Sequence, residues 1–311
     1  MFDWLKKSSR SSRVLGLEMY ENGCALAVVD QAEAGKPVVA GARWCPLRDS
    51  DRTSLLKQAV RGLKARGMPV VATLPHSAYS LVQLEAPELE PGELREAMRW
   101  RVKDLIDFPV EEAVIDVFEL PASRRPGAPQ LVYAVVAKSR EVDELGRLLV
   151  EAGLQIEAID ITEMAIRNLS LHLDKPGRAR AYLQLQPGQT IIEIADGPQV
   201  YLSRRVLQEF DSGADAELLQ AQMENLALEV QRSLDYFESQ YALGPADQLS
   251  VIVSDDSLFD AFSKVARAFL TVQTERFSFS DLGAAAGVDL VELGHGVTAV
   301  GAAMRGLPWA A

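Results

Sequence analysis

The sequence predicts a two-lobed α/β protein built on a duplicated unit, and three observations support that expectation. Three short strand-like segments followed by helices occur twice, about half a chain apart. Lys175-Pro176-Gly177, the strongest turn signal in the chain, lies between the two occurrences. The 311 residues, 48% hydrophobic and 24% charged, have an ordinary globular balance and suffice for two domains. Two such α/β layers predict a cleft between them.

In the first occurrence, Val14–Tyr20, Ala25–Asp30 and Val38–Cys45 read as strands, punctuated by Gly23 and Ala34-Gly35-Lys36. A helix over Thr53–Arg66 puts Leu56, Val60 and Leu63 on one face, with Gly67 as its stop, and Val70–Thr73 is a short buried strand. A strand at Leu81–Ala86 follows. Pro91 then opens a helix through Ile106, with Leu94, Met98, Val102 and Leu105 in a stripe. Strands at Ala113–Leu120 and Leu131–Ala137, helix Glu141–Gly153, strand Ile156–Ile159 and helix Thr162–Leu173 complete this half. After the turn the opening pattern returns as Ala181–Leu185, Ile191–Ala195 and Val200–Arg205. A helix over Asp215–Tyr241 aligns Leu219, Met223, Leu226, Val230, Leu234, Phe237 and Tyr241 in one sustained stripe. Strand Leu249–Val253 and helix Leu258–Phe269 come next. Gly294–Arg305, rich in Gly and Ala, suits a helix packed closely on another backbone.

The bulk properties exclude several classes. A formal net charge of −12 argues against nucleic acid, whose phosphates need a basic surface. A chain of this size buries a core that needs no metal or disulfide to hold it. Cys24 and Cys45 form no CxxC pair and read as buried thiols on neighbouring strands. His76, His172 and His295 share no metal spacing, so no metal site is expected. The acidic stretch Glu88–Glu96 sits at a helix start, where acids complement the helix dipole. No stretch approaches the ~20 apolar residues needed to span a bilayer. The opening MFDWLKKSSRSSR lacks the apolar segment of a secretory signal. Two readings of residues 1–13 stay open: a disordered tail, or an arm whose Phe2, Trp4, Leu5, Lys6 and Lys7 touch an anionic membrane surface.

Between Leu74 and Leu173 the chain reads LPHSAYSLVQLEAP, then ELREAMRWRVKDLIDFPVEEAVIDVFEL, then LVYAVVAKSREVDELGRLLVEAGLQIEAIDITEMAIRNL. This resembles the PilM family of type IV pilus assembly proteins, in which a strand and helix of this type end in a Phe-Pro pair before a strand with an acidic start. LEVQRSLDYFESQY, Leu228–Tyr241, is similar to the same family's second-lobe helix. The opening MFDWLKK and the divergent turns described next resemble the MshI branch, from mannose-sensitive haemagglutinin (MSHA) pilus systems. The resemblance implies an actin-like α/β fold of two ribonuclease-H-like lobes, with an inserted α/β subdomain in the first, related to FtsA and the cytoplasmic part of GspL. Residues 14–174 would form the first lobe, with the insert near 75–160, and residues 175–311 the second.

Actin-like proteins hold ATP and magnesium between their lobes on strand turns that supply backbone N–H groups, glycines and an Asp. The first turn here is Gly16-Leu17-Glu18-Met19-Tyr20, with Glu18 in place of the family's Asp and Tyr20 in place of a Gly. The second is Gln184-Leu185-Gln186-Pro187-Gly188. It has lost its carboxylate, has Gln186 at the glycine position and loses a backbone donor at Pro187. The third replaces paired glycines with Ser254-Asp255-Asp256, whose carboxylates would repel phosphates if they faced the cleft. Three departures together predict a degenerate cleft, no cofactor and no catalytic residue.

The resemblance also implies a partner, the short N-terminal cytoplasmic peptide of a PilN-like inner-membrane protein, held in a groove between the first lobe and its insert. Leu81, Val82, Trp100, Leu105, Phe108 and Pro109 are the matching positions, and each also reads as a core residue of the insert. The expected function is a non-enzymatic cytoplasmic scaffold at the inner face of the bacterial inner membrane. The alternative is an active actin-like ATPase, with ATP and magnesium, whose nucleotide state switches partner binding. A sugar-kinase-like enzyme of the same superfold is a third, weaker reading.

Overall fold

The computed structural model describes residues 13–20, 22–31, 37–46, 51–87, 93–175, 177–186, 189–208, 210, 215–278, 283 and 288–305. The membrane-arm candidates Phe2, Trp4, Leu5, Lys6 and Lys7, and Pro187 and Gly188 of the second turn, lie outside these residues.

The first sheet starts as an antiparallel meander of β1 (Arg13–Tyr20), β2 (Gly23–Gln31) and β3 (Pro37–Pro46). Two buried strands then join in parallel, β4 (Pro69–Thr73) beside β1 and β8 (Gln155–Asp160) beside β4, giving the order β3-β2-β1-β4-β8. The second half repeats this plan. The strands β9 (Arg180–Gln186), β10 (Gln189–Asp196), β11 (Gln199–Val206), β12 (Leu249–Ile252) and β13 (Thr274–Arg276) lie in the order β11-β10-β9-β12-β13. Sequence periodicity does not find β13, because Thr-Glu-Arg offers no apolar alternation; it is defined only by its parallel pairing with β12.

Between β4 and β8 stands a separate antiparallel sheet of β5 (Tyr79–Glu85), β6 (Ala113–Glu119) and β7 (Leu131–Lys138), in the order β5-β7-β6. This sheet is the insert. It spans 79–138 and is shorter than the expected 75–160, because β8 is a strand of the main sheet. Helix α2 (Leu94–Val102) covers one face of it, and a short 3-10 turn over Lys103–Leu105 continues the helix in place of the α-turns expected up to Ile106.

On the outer face of the first sheet lie α1 (Arg52–Gly62) and α3 (Ser139–Glu151), burying Leu56, Val60, Leu145 and Leu149. Asp51 caps α1 by accepting from the Thr53 N–H at 3.2 Å. The helix stops at Gly62, before the expected Arg66, where the chain turns into the left-handed region at Lys64 (φ 53°). On the outer face of the second sheet lie α5 (Ala216–Tyr241) and α6 (Asp256–Phe269). The predicted α5 stripe is buried at Met223, Leu226, Val230, Leu234, Phe237 and Tyr241, at roughly 1.5–3 kcal/mol of hydrophobic stabilisation for each large side chain.

The inner faces are covered by exchanged helices. Helix α4 (Thr162–Leu173) leaves the first sheet and packs on β10 and β11 of the second. At the other end of the chain, α7 (Leu290–His295) packs on β3, and α8 (Val297–Met304) lies on β1, β2 and β4. The first lobe therefore includes residues beyond 174, and the second is completed by a helix that precedes 175. Close approach requires two glycines. A Cβ at Gly16 would collide with the Ala299 carbonyl oxygen of α8, and one at Gly301 with the Ala165 carbonyl oxygen of α4. Gly16 is thus a helix-packing residue under α8. Asn168 ties the crossing helices by donating to the Gly301 carbonyl at 3.0 Å.

Candidate functional site

The inter-lobe cleft starts where β1 and β9 end side by side. Strand alternation turns Glu18 and Tyr20 of β1, and Gln184 and Gln186 of β9, toward the opposite lobe. All four are buried, Glu18 and Gln184 completely. The Tyr20 hydroxyl donates to one Glu18 carboxyl oxygen, and the Gln184 amide donates to the other at 3.2 Å. The same amide donates to the Thr298 hydroxyl of α8 at 2.9 Å. Burial pushes the Glu18 carboxyl up to about 7, against the opposing effect of hydrogen bonds from Tyr20, Gln184 and Thr298. Burial, then the nearby Glu18 charge, holds the Tyr20 phenol well above its ordinary value.

Above this floor the cleft has a volume of about 400 Å³. Tyr20, Trp44, Phe210 and His295 give it aromatic walls, and Asn22, Gln186, Ser254 and Asp255 its polar groups. The Trp44 ring stacks on His295 at 4.9 Å and meets the Tyr20 ring edge-on at 5.4 Å. Glu292 of α7 anchors this wall by accepting from the Trp44 backbone N–H. Burial lowers the His295 imidazole, with Glu292 opposing.

Of the third turn, Ser254 and Asp255 reach the cleft. Asp255 caps α6, one carboxyl oxygen accepting from the Ser257 and Leu258 N–H groups at 2.8 and 3.2 Å. Asp256 does not reach the cleft. As the first residue of α6 it points to solvent and pairs with Arg276 at 2.5 Å.

A second polar cluster joins the insert to the far lobe. Arg205 of β11 pairs with the fully buried Glu163 of α4 at 3.2 Å and donates to the carbonyls of His76 and Tyr79 at 3.2 and 3.0 Å. Its guanidinium lies 4.0 Å from the centre of the Tyr79 ring, and the Tyr79 hydroxyl donates to Glu163 at 2.5 Å. Burial and the Arg205 charge bring the His76 imidazole down to about 3. Farther along, the Tyr133 hydroxyl donates to the Ser203 carbonyl at 2.9 Å, and Ser123 and Arg125 donate to the Gln240 and Ser239 carbonyls of α5 at 2.7 Å each. Sequence reasoning missed Arg205, Glu163, Trp44, Thr298 and His295, since nothing local marks a residue whose partner lies 42 or more positions away in the chain.

No family model matches the chain, and no curated protein matches it. Solved structures do. One chain of a PilM–PilN type IV pilus biogenesis complex aligns over 96% of this chain and 99% of its own length, at 20% identity and a TM-score of 0.74. A Bacteroides thetaiotaomicron protein with an actin-like ATPase fold aligns over 94% of this chain and 98% of its own, at 8% identity and a TM-score of 0.52. The fold is actin-like. The cytoplasmic domain of EpsL, an inner-membrane component of the Vibrio cholerae type II secretion system, shares it over 78% of this chain and 82% of its own, at 14% identity and a TM-score of 0.50.

Within this actin-like frame the six partner-groove positions do not share one surface. Leu81 and Val82 are successive residues of β5 and point to opposite faces of the insert sheet. Leu81 packs on the first-lobe core, whereas Leu84, on the Val82 face, packs with Ile106 and Phe108. Phe108 is half-buried with the Lys138 ammonium 4.9 Å from its ring centre, and Pro109 is exposed. Trp100 and Leu105 are 68% and 55% exposed, which sets them apart as surface residues of the insert.

Proposed function

We propose that this protein is a non-enzymatic scaffold of a type IV pilus, of the MSHA type and MshI-like, or of a related secretion platform. It works at the cytoplasmic face of the bacterial inner membrane by binding the N-terminal cytoplasmic peptide of a PilN-like membrane protein. The observation that carries the non-enzymatic reading is the closed cluster of Glu18, Tyr20, Gln184 and Thr298 at the cleft floor. A magnesium-bound triphosphate needs a carboxylate open to the metal, backbone close to the phosphates and positive charge nearby. Here both Glu18 oxygens are already engaged in hydrogen bonds and the Tyr20 ring stands at the turn. Asp255 adds negative charge to the rim, and no Lys or Arg lines the cleft among the described residues. These residues do not fit the nucleotide.

The partner reading draws on the likeness of fold to a chain of a PilM–PilN complex and to EpsL, together with the sequence resemblance between Leu74 and Leu173. No helix among the described residues is long and apolar enough to cross a membrane. Exposed Trp100 and Leu105 are the apolar contacts the insert offers a peptide. Synthetic N-terminal tails of candidate membrane partners, tested by pull-down, should be retained by the wild-type protein and lost on Trp100→Ala. Retention of none of the tails would overturn the scaffold reading. One observation favours the alternative ATPase: about 400 Å³ of cleft is still open above the cluster. Micromolar binding of ATP-magnesium to the purified protein would establish it.

A further inference from the structure

We propose that Glu18 is a proton-operated latch between the lobes. As a carboxylic acid it completes a neutral network with Tyr20, Gln184 and Thr298 that holds the cleft floor shut, and its ionisation puts an uncompensated charge at this fully buried junction and weakens the closed floor. The inference rests on the reading that no nucleotide enters this cleft, and it assigns the emptied site a control.

Three elements meet at this side chain: β1 through Tyr20, β9 of the other lobe through Gln184, and α8 through Thr298. Three of the four other buried acids among the described residues have an ion-pair partner. Glu163 has Arg205, Asp160 has Arg305 and Asp174 has Arg180, whereas Glu193 of β10 has no ion pair and burial holds it well above its ordinary value, with Arg167 opposing. Glu18 has only neutral hydrogen-bonding groups around it. A carboxylate buried without a cation is costly, whereas the neutral acid is not. The proton has a place to go. In the acid form the Glu18 carboxyl donates to the Tyr20 oxygen, and the Tyr20 hydroxyl turns to the His295 carbonyl oxygen 3.5 Å away. In the ionised form the Tyr20 hydroxyl turns back to donate to Glu18.

The surroundings do not supply a competing charge. In register beside Glu18 lie Ala25 of β2 and Thr73 of β4, both neutral. Beyond Thr73 stands Asp160 of β8, already paired with Arg305 at 2.5 Å. Gln184 and Gln186 are the neutral groups of β9, Thr298 that of α8, and His295 of α7 is turned to Trp44. The physical cause that keeps Glu18 protonated to about 7 is burial, so its ionisation falls in the neutral range.

Infrared spectroscopy of the buried carboxylic-acid band, with hydrogen exchange of β1, β9 and α8 peptides, tests the proposal in wild type, Glu18→Gln and Thr298→Val from about pH 5 to about pH 9. We expect the wild-type band to vanish with a midpoint near 7 while exchange in β1 and β9 rises beyond its intrinsic pH dependence. Glu18→Gln should lack both changes. Thr298→Val, which removes a donor to the charged form, should move the midpoint upward. A wild-type spectrum with no neutral-range band that Glu18→Gln loses would overturn the latch, as would an exchange transition that persists in Glu18→Gln. The same samples with ATP-magnesium separate the two readings. A saturable nucleotide effect overturns the closed-cleft reading, and its absence with a flat pH profile overturns the latch alone.

Discussion

Tyr20 stands where its family resemblance places a glycine, and its consequences are local and electrostatic. The ring fills the turn, and its hydroxyl donates to Glu18, a carboxyl that burial holds near 7. Because the folded value lies above the ordinary 4.5, Glu18 favours the folded state below about pH 4.5 and loses that contribution as pH rises toward 7. Glu18→Gln should therefore gain stability relative to wild type across this window, by on the order of 3 kcal/mol at its alkaline end. Urea unfolding at several pH values measures the difference; equal slopes for the two proteins would remove Glu18 as its source. Gly16 gives a second residue-scale expectation. An added Cβ meets the Ala299 backbone, which cannot swing away as a side chain can, so Gly16→Ala should cost about 1–3 kcal/mol or more. Gly67→Ala is the contrast: open space surrounds it, and only its left-handed φ of 74° opposes the change, at about 1–2 kcal/mol.

Among elements, the joint between the insert and β11 depends most on one side chain. Arg205 neutralises a fully buried Glu163 while bonding two carbonyls at the start of β5. Removing it takes the ion-pair partner from a fully buried carboxyl, so Arg205→Ala should destabilise by about 3–5 kcal/mol in denaturant unfolding. Arg205→Lys keeps the charge but loses the fork, and should lie between the two. Helix caps contribute less. Asp215 accepts from the Glu217 N–H at 2.8 Å to start α5, and Asp215→Ala should cost about 1 kcal/mol by the same measurement.

For the molecule as a whole, the insert of one lobe is bonded to the other at Ser203, Ser239 and Gln240. Opening the cleft would break these bonds as well as those at Glu18, so the insert braces one side of the cleft. Binding of a partner tail should then be independent of nucleotide. Titrations of a retained peptide with and without ATP-magnesium should agree, and a difference of more than ~10-fold would favour the switching ATPase.

Much of the architecture is legible in the chain because periodicity is local. The α5 stripe, the two three-strand meanders and the turn at Lys175 are patterns over neighbouring residues, and the Gly- and Ala-rich end announced a close-packed helix. The departures at Glu18, Tyr20 and Gln184 are also visible in sequence, as residues of the wrong size or charge for a phosphate turn. Their partners are not. Thr298 and His295 reach the cleft because α7 and α8 cross back to the first lobe, and Arg205 meets Glu163 because α4 crosses the other way. Sequence by itself determined the repeat, the helices and the departures from the expected turn pattern. Only the tertiary structure decided that Glu18 is sealed, that Asp256 faces away and that Leu81 and Val82 part company, because burial and pairing are set by segments distant in the chain.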